Sequence, residues 1–241
     1  MTNYDNSRLL THYALAAHPL GRLLLLVEFE TQRLRARWLA SAPVVCKRCF
    51  DLIVSAILLL CCGPLFLLIA LLVKLEDGGP VFFAQIRVGQ FGRHFKMFKI
   101  RTMCLDAERR LEELLACNQH REGITFKLQD DPRITRVGKW LRKFSLDELP
   151  QFFNVFIGDM SLVGPRPPLQ REVNKYSPTH RRRLAAKPGI TCFWQISGRA
   201  NIDFSGQVQL DVDYIEQQCF WTDVCILLRT VPAVLSGKGA C

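Results

Sequence analysis

Residues 52–73 run for 22 positions without a charged side chain. As a straight helix the run would reach about 33 Å, enough to cross the apolar core of a bilayer. Gly63 and Pro64 stand at its centre. Proline has no backbone N–H and its ring crowds the preceding turn, so a kink or break is expected there. Taken alone, the proline allows a kinked spanning helix, because membrane helices tolerate it. The flanks argue otherwise. Lys47 and Arg48 precede the run, with Arg33, Arg35 and Arg37 further upstream; Lys74, Arg87, Arg93 and Lys96 follow it. Positive charge marks the cytoplasmic side. A helix that dips in, turns at Gly63-Pro64 and returns would keep both flanks there.

The 241 residues suffice for one sizeable domain plus this anchor. A formal net charge of +10 suits an anionic membrane, a phosphorylated substrate or nucleic acid. Nucleic acid is not expected, since neither a helix-turn-helix nor aromatics interleaved with the arginines can be found. Cysteine spacing is irregular. Cys46 and Cys49 form a C-x-x-C with no second pair at zinc spacing, and no disulfide framework is expected. The histidines follow no metal-ligand pattern. Residues 1–46 read as a weakly ordered, partly amphipathic, membrane-skimming extension without the order of a cleaved leader.

Downstream, residues 81–83 and 95–101 read as strands joined by turn residues at 89–92. Helices are expected over 106–115, 138–144, 145–154, 171–186, 208–218 and 221–235, with a loop at 158–168 and a loop or short strand at 187–206.

The chemistry gathers in four places. Ser145-Leu146-Asp147-Glu148-Leu149-Pro150-Gln151 has the form of a capping box, with acids in a first helical turn. The same geometry serves catalysis: a carboxylate held ionised near free N–H groups can attack phosphorus. In Gly164-Pro165-Arg166-Pro167-Pro168, prolines fix the backbone around one guanidinium, which suits bidentate phosphate binding. Lys99 and Arg101 alternate on one strand face, and Arg142 lies five residues before Asp147; a diphosphate needs several such cations to converge. The fourth place is Lys187-Pro188-Gly189-Ile190-Thr191 with Trp194-Gln195-Ile196-Ser197-Gly198-Arg199. It reads as packing or as the wall of a nucleotide pocket.

From Lys47 onward, about four-fifths of the chain resembles the bacterial sugar transferases, the monotopic phosphoglycosyl transferases. The motifs are Lys47-Arg48-x-Phe50-Asp51, Gly63-Pro64, Phe98-Lys99-Ile100-Arg101-Thr102-Met103 and Asp131-Pro132-Arg133-Ile134-Thr135. The Ser145 to Gln151 segment follows, then Gly158-Asp159-Met160-Ser161-Leu162-Val163-Gly164-Pro165-Arg166-Pro167, Pro188-Gly189-Ile190-Thr191 and Gln195-Ile196-Ser197-Gly198-Arg199.

The resemblance implies an α/β, mostly helical, small catalytic domain with a re-entrant membrane helix. The divisions would be 1–46 extension, 47–75 membrane helix and 76–241 cytosolic catalytic domain. It implies Asp147 as nucleophile with Glu148 beside it, Mg2+ held by both, and Lys99, Arg101, Arg142, Arg166 and Arg199 around the substrate phosphates. A sugar-1-phosphate, galactose first and glucose second, would pass from a UDP-sugar to undecaprenyl phosphate, with UMP released. The product would feed exopolysaccharide or lipopolysaccharide (O-antigen) assembly. Implied partners are those two substrates, the inner membrane and downstream glycosyltransferases, with homodimerisation left open. Cys192-Phe193 departs from an expected glycine and apolar residue. The ending, Ser236-Gly237-Lys238-Gly239-Ala240-Cys241, resembles short exopolysaccharide-type relatives. The competing reading is a non-catalytic, basic, membrane-attached scaffold in which Asp147-Glu148 only caps a helix.

Overall fold

A computed structural model describes residues 17–114, 131–198 and 202–236. The chain divides into two units, Met1–Lys47 and Arg48–Cys241. Helix α1 (Pro19–Asp77) contributes to both. In the first unit its residues are helical from Pro19, where the sequence suggested a weakly ordered extension. Large apolar side chains such as Leu23, Leu26, Phe29 and Trp38 are exposed there, and Arg33 pairs with Glu30 one turn away at 3.3 Å.

In the second unit α1 carries the apolar run, and Ser41–Asp77 is long and apolar enough to cross a membrane. The helix continues through Gly63 and Pro64, so the turn of the expected hairpin does not interrupt it. A proline removes only one helical donor, and neighbouring turns keep their bonds.

One stripe of this run packs inward. Asp51 and Ser55 are buried near its start, Ile69 and Val73 near its end, at the i, i+4 spacing of a helix face. Asp51 Oδ1 accepts the Leu162 N–H at 3.1 Å. Arg48 donates to the carbonyls of Val155 and Phe156 at 2.6 and 2.7 Å, capping the helix that ends there. Ile69 and Val73 pack with Ile100 and Leu141. The opposite face shows Ile53, Ile57, Leu60, Leu67 and Leu71 to the surroundings. Both ends of the run therefore rest on the same folded unit.

Strands β1 (Phe82–Val88) and β2 (His94–Ile100) form an antiparallel hairpin, with Phe83 opposite Lys99 and Arg87 opposite Phe95. Both strands were expected, β1 ending earlier. Phe91 and Gly92 take left-handed backbone angles in the turn, φ 55° and 84°. Next come α2 (Ala107–Leu114) and α3 (Arg136–Lys143), the latter capped by Thr135, whose Oγ1 accepts the Gly138 N–H at 2.9 Å. Helix α4 (Gln151–Ile157) leads to β3 (Ser161–Val163). The chain continues through α5 (Gln170–Val173), β4 (Gly189–Thr191), α6 (Phe193–Ser197), α7 (Phe204–Glu216) and α8 (Phe220–Ser236).

β3 and β4 pair in parallel. The sequence suggested a loop at β3 and a loop or short strand at β4, because a three-residue strand is too short to show alternation. The helix expected over 171–186 is instead α5 followed by a 3-10 turn, His180–Ala185. Pro178 lies between them, and the residue before a proline is biased out of the helical region. Among the described residues the fold is mostly helical with two small sheets. Its main core joins Phe95, Met97, Val155, Met160, Leu162, Val163, Tyr214 and Ile226.

Candidate active site

The backbone around Asp147 differs from the expected helix. Ser145 adopts a left-handed conformation (φ 54°), and its side chain makes no cap hydrogen bond. Leu146–Glu148 form a 3-10 turn, and α4 starts only after Pro150. The capping box is thus not formed. Non-glycine residues hold φ above zero at a cost of order 1–3 kcal/mol, and such positions cluster at functional sites. The kink frees the Glu148 side chain, which goes to cations instead of to the backbone.

Lys99, on β2, places Nζ 2.7 Å from Glu148 Oε1 and 3.8 Å from Asp147 Oδ2. Arg166 places Nη2 3.1 Å from the same Glu148 oxygen. Asn154, fully buried on α4, holds this register: its Nδ2 donates to the Lys96 carbonyl at 2.7 Å and its Oδ1 accepts the Phe98 N–H at 3.0 Å.

Arg166 is held by backbone contacts. Gly164 N donates to Thr191 O and Gly189 N to Pro165 O, both at 3.0 Å. A Cβ on Gly189 would stand 2.0 Å from Gly164 N, so glycine is required for this approach. Pro165 and Pro167 are buried on either side, as the sequence suggested for a pre-set guanidinium.

The two carboxylates are electrostatically unlike. Burial pushes Glu148 up, but Lys99 and Arg166 outweigh it and hold the group well below the ordinary 4.5. Asp147 is raised above 3.8, chiefly by burial, with Lys99 offsetting part of the rise and the Glu148 charge adding to it. Glu148 is the settled anion. Asp147 is the more basic carboxylate, at an ion-pair distance too long for a hydrogen bond.

Arg142 faces the same cleft, its Nε donating to Thr102 Oγ1 at 2.9 Å. Arg101 is placed differently. Its guanidinium bonds both oxygens of Asp77, and also the Pro80 and Met103 carbonyls. Its donors tie the end of α1 to β2, leaving little for a substrate. Arg199 lies outside the described residues, as do the 237–241 ending and 1–16. Cys192 is fully buried, with Sγ 3.3 Å from Gln195 Oε1. Burial raises its thiol well above 9.0, so it packs as a neutral side chain. Gly63 and Pro64 lie within α1 and are not among the residues that line the cleft.

The cleft encloses about 1900 Å³ and is lined by Lys99, Arg142, Asp147, Glu148 and Arg166, with Thr191, Trp194 and Gln195 from the fourth motif. Single-ligand pockets typically span about 300–1000 Å³, so this cleft has room for more than one ligand. Sequence reasoning missed Thr102, Asn154 and Arg87 as site residues. A Gln-x-Arg alternation, Gln85 and Arg87, on an extended β1 was the available signal for the last.

Residues 42–237 match the family model described as bacterial sugar transferase. The chain belongs to the bacterial sugar transferase family. The resemblance carried by the motifs is borne out, and so is the expectation of an enzyme. Galactosyl transferase CpsE of Streptococcus agalactiae serotype III is 51% identical over 198 residues, covering 82% of this chain and 44% of that protein. Exopolysaccharide production protein ExoY of Sinorhizobium fredii is 41% identical, covering 81% and 88%. Undecaprenyl-phosphate galactose phosphotransferase of Salmonella typhimurium is 43% identical, covering 80% and 41%. The transferase thus spans less than half the length of the streptococcal and Salmonella relatives and most of the length of ExoY. Asp147, Glu148, Lys99, Arg142 and Arg166 all fall inside the matched region.

Proposed function

We propose that the chain is a phosphoglycosyl transferase that moves a sugar-1-phosphate from a UDP-sugar to undecaprenyl phosphate through Asp147. The observation that carries this reading is the division of labour in the dyad. Glu148 is occupied by two cations, while Asp147 is buried, more basic, and bound tightly by none among the described residues. A nucleophile needs available lone pairs; a neighbour locked in ion pairs can organise cations. In the first step an Asp147 oxygen attacks the sugar-bearing phosphorus. The bond from that phosphorus to the bridging oxygen breaks, and UMP leaves with the electron pair. In the second, an oxygen of the lipid phosphate attacks the same phosphorus, the Asp147–phosphorus bond breaks, and a lipid diphosphate sugar forms. Lys99, Arg142 and Arg166 offset the phosphate charge in both steps.

Mg2+ fits the donor set. One oxygen of Asp147 and one of Glu148 lie outside the Lys99 and Arg166 contacts, and Mg2+ is commonly bound by one or two carboxylates plus substrate phosphates. Among the described residues no cluster of three or more His, Cys, Asp or Glu offers an all-protein cage. Bound there, the ion would neutralise diphosphate charge.

Galactose-1-phosphate is the first choice of substrate group, since two of the relatives above carry galactose in their names; glucose-1-phosphate is the second. The pathway is exopolysaccharide or O-antigen assembly. The placement that fits is monotopic, with the catalytic unit on the cytoplasmic face of the inner membrane, where UDP-sugars are made. Anchoring of both ends of the apolar run to one folded unit supports this, because a crossing run would carry its ends to opposite faces. The capping-scaffold alternative loses its motivation with the capping box unformed.

The test is single turnover. Purified enzyme given UDP-galactose alone should release about one UMP per chain and retain one sugar phosphate, and Asp147→Asn should do neither. A requirement for both substrates at once, with no retained sugar phosphate, would overturn the covalent route.

A further inference from the structure

Six of the eight described arginines lining the cleft fall into two groups. Arg101, Arg133 and Arg183 are each matched to a carboxylate, Asp77, Asp131 and Asp211. Arg87, Arg142 and Arg166 gather at the dyad. With Lys99 they make four cations against the two carboxylates of Asp147 and Glu148; Glu172 and Arg171, which also act on Arg87, offset each other in sign and leave a local excess of two positive charges. A desolvated excess of this kind is costly unless an anion completes it. Arg142 and Arg166 already belong to the expected site; Arg87 does not.

Arg87 is built in rather than loose. Gln85, two residues away on the same face of β1, accepts from its Nε at 3.0 Å and its Nη2 at 2.6 Å. The Pro167 carbonyl, next to Arg166, accepts from its Nη1 at 3.0 Å. These bonds fix the guanidinium plane and use three of its five N–H groups, leaving two without an acceptor among the described residues. None of the acceptors is charged. Burial, reinforced by Arg166, draws Arg87 down to about 10, so the group is still a cation at neutral pH. A rigid, unpaired guanidinium beside a second one suits a phosphate.

The proposed chemistry says which phosphate. Successive displacements at one phosphorus place the leaving oxygen and then the entering oxygen in line, opposite the Asp147 oxygen. The phosphates that carry those two oxygens must therefore occupy the same place at different times. We propose that Arg87 and Arg166 form a second phosphate subsite, which holds the nucleotide phosphate that departs and then the phosphate of the lipid acceptor. The assignment of ligands rests on the two-step reading above.

Binding without chemistry tests it. Full-length enzyme in detergent micelles is titrated calorimetrically with UMP and uridine, and with a short polyprenyl phosphate and its polyprenol. Arg87→Gln should weaken UMP and polyprenyl phosphate each by roughly ten-fold or more, the loss of one charge-assisted contact, and leave uridine and polyprenol unchanged. If only UMP or only the lipid weakens, a shared subsite is overturned. If neither does, Arg87 merely latches β1 to the Arg166 loop and the proposal fails. Arg87→Lys keeps charge and stem should the glutamine variant not fold; it should lose affinity for both phosphates, and full affinity in it would overturn the fork. None of these measurements needs a covalent intermediate, so a failure of the two-step reading appears in the turnover experiment instead.

Discussion

Lys99 Nζ lies 2.7 Å from Glu148 and 3.8 Å from Asp147, so one cation serves both carboxylates unequally. The inequality has a pH signature. Asp147 is raised above 3.8, by burial and by the neighbouring Glu148 charge, with Lys99 pulling the other way. Only the ionised form attacks phosphorus, so single-turnover UMP release should decline as pH falls, with its midpoint above 3.8. Replacing Lys99 by methionine removes the cation that lowers Asp147. The acid limb should then move to higher pH and the plateau rate fall. Rapid-quench measurements across pH would show this; an unmoved limb would mean that Lys99 does not set the charge on Asp147.

Arg166 should not tolerate lysine. Its prolines and the Gly164–Gly189 contact aim a planar fork, and lysine offers a point charge in its place. By analogy with removal of one preorganised donor, Arg166→Lys should cost about 2.7–4 kcal/mol of transition-state stabilisation, seen in kcat more than in KM. Near-normal turnover would show that the fork is not required.

The sequence made some of this legible and hid the rest for physical reasons. The dyad, Lys99, Arg142 and Arg166 were readable because each sits in a short motif whose residue types match phosphate chemistry. The turn at Ser145 was not, since Ser-x-x-Glu favours a capping box locally and only tertiary pull from Lys99 and Arg166 diverts Glu148. Arg101 looked like Lys99 by strand alternation, yet Asp77, 24 residues away in the chain, claims it. Arg87 was counted as a membrane-flanking charge, because nothing local shows that Pro167 will reach it. In the sequence β3 reads as loop and β4 as loop or short strand, because three residues per strand show no alternation and nothing local marks their pairing.

Arg183 and Asp211 form a buried ion pair, with the Arg183 guanidinium near the rings of Tyr176 and Phe204. Arg183→Met leaves a buried carboxylate unpaired and should cost about 3–5 kcal/mol at pH 7. The Asp211 carboxyl already stands at about 6, raised by burial despite Arg183. Without the cation it should rise further, and the variant should regain stability as pH falls and Asp211 takes up its proton. Adding Asp211→Leu should restore much of the loss at pH 7. Denaturant melts of the single and double variants measure this, and a double variant no more stable than Arg183→Met would mean that the charge is not what the single variant suffers from.

Two opposing features govern how the apolar run meets the membrane. Asp51 bonded to Leu162, and Ile69 and Val73 packed with Ile100 and Leu141, tie its two ends to one unit. Against this stands the run itself, 22 uncharged residues that can span about 33 Å as a helix. Pro64 weakens that alternative by withholding one backbone donor in the middle. Two changes should therefore act together. Gly63→Leu with Pro64→Leu strengthens the continuous helix, and Asp51→Leu removes the anchor at its first turn and leaves the Leu162 N–H without an acceptor, worth about 1–3 kcal/mol. A reporter introduced as Asn6→Cys, in a chain with the native cysteines replaced, is probed on intact spheroplasts with a membrane-impermeant thiol reagent. The unaltered run should leave the reporter unlabelled. The double-leucine change should expose it in a fraction of molecules, and the added Asp51→Leu should enlarge that fraction. Labelling with the unaltered run would instead place the N-terminal side outside and leave a kinked spanning helix as the account of residues 52–73.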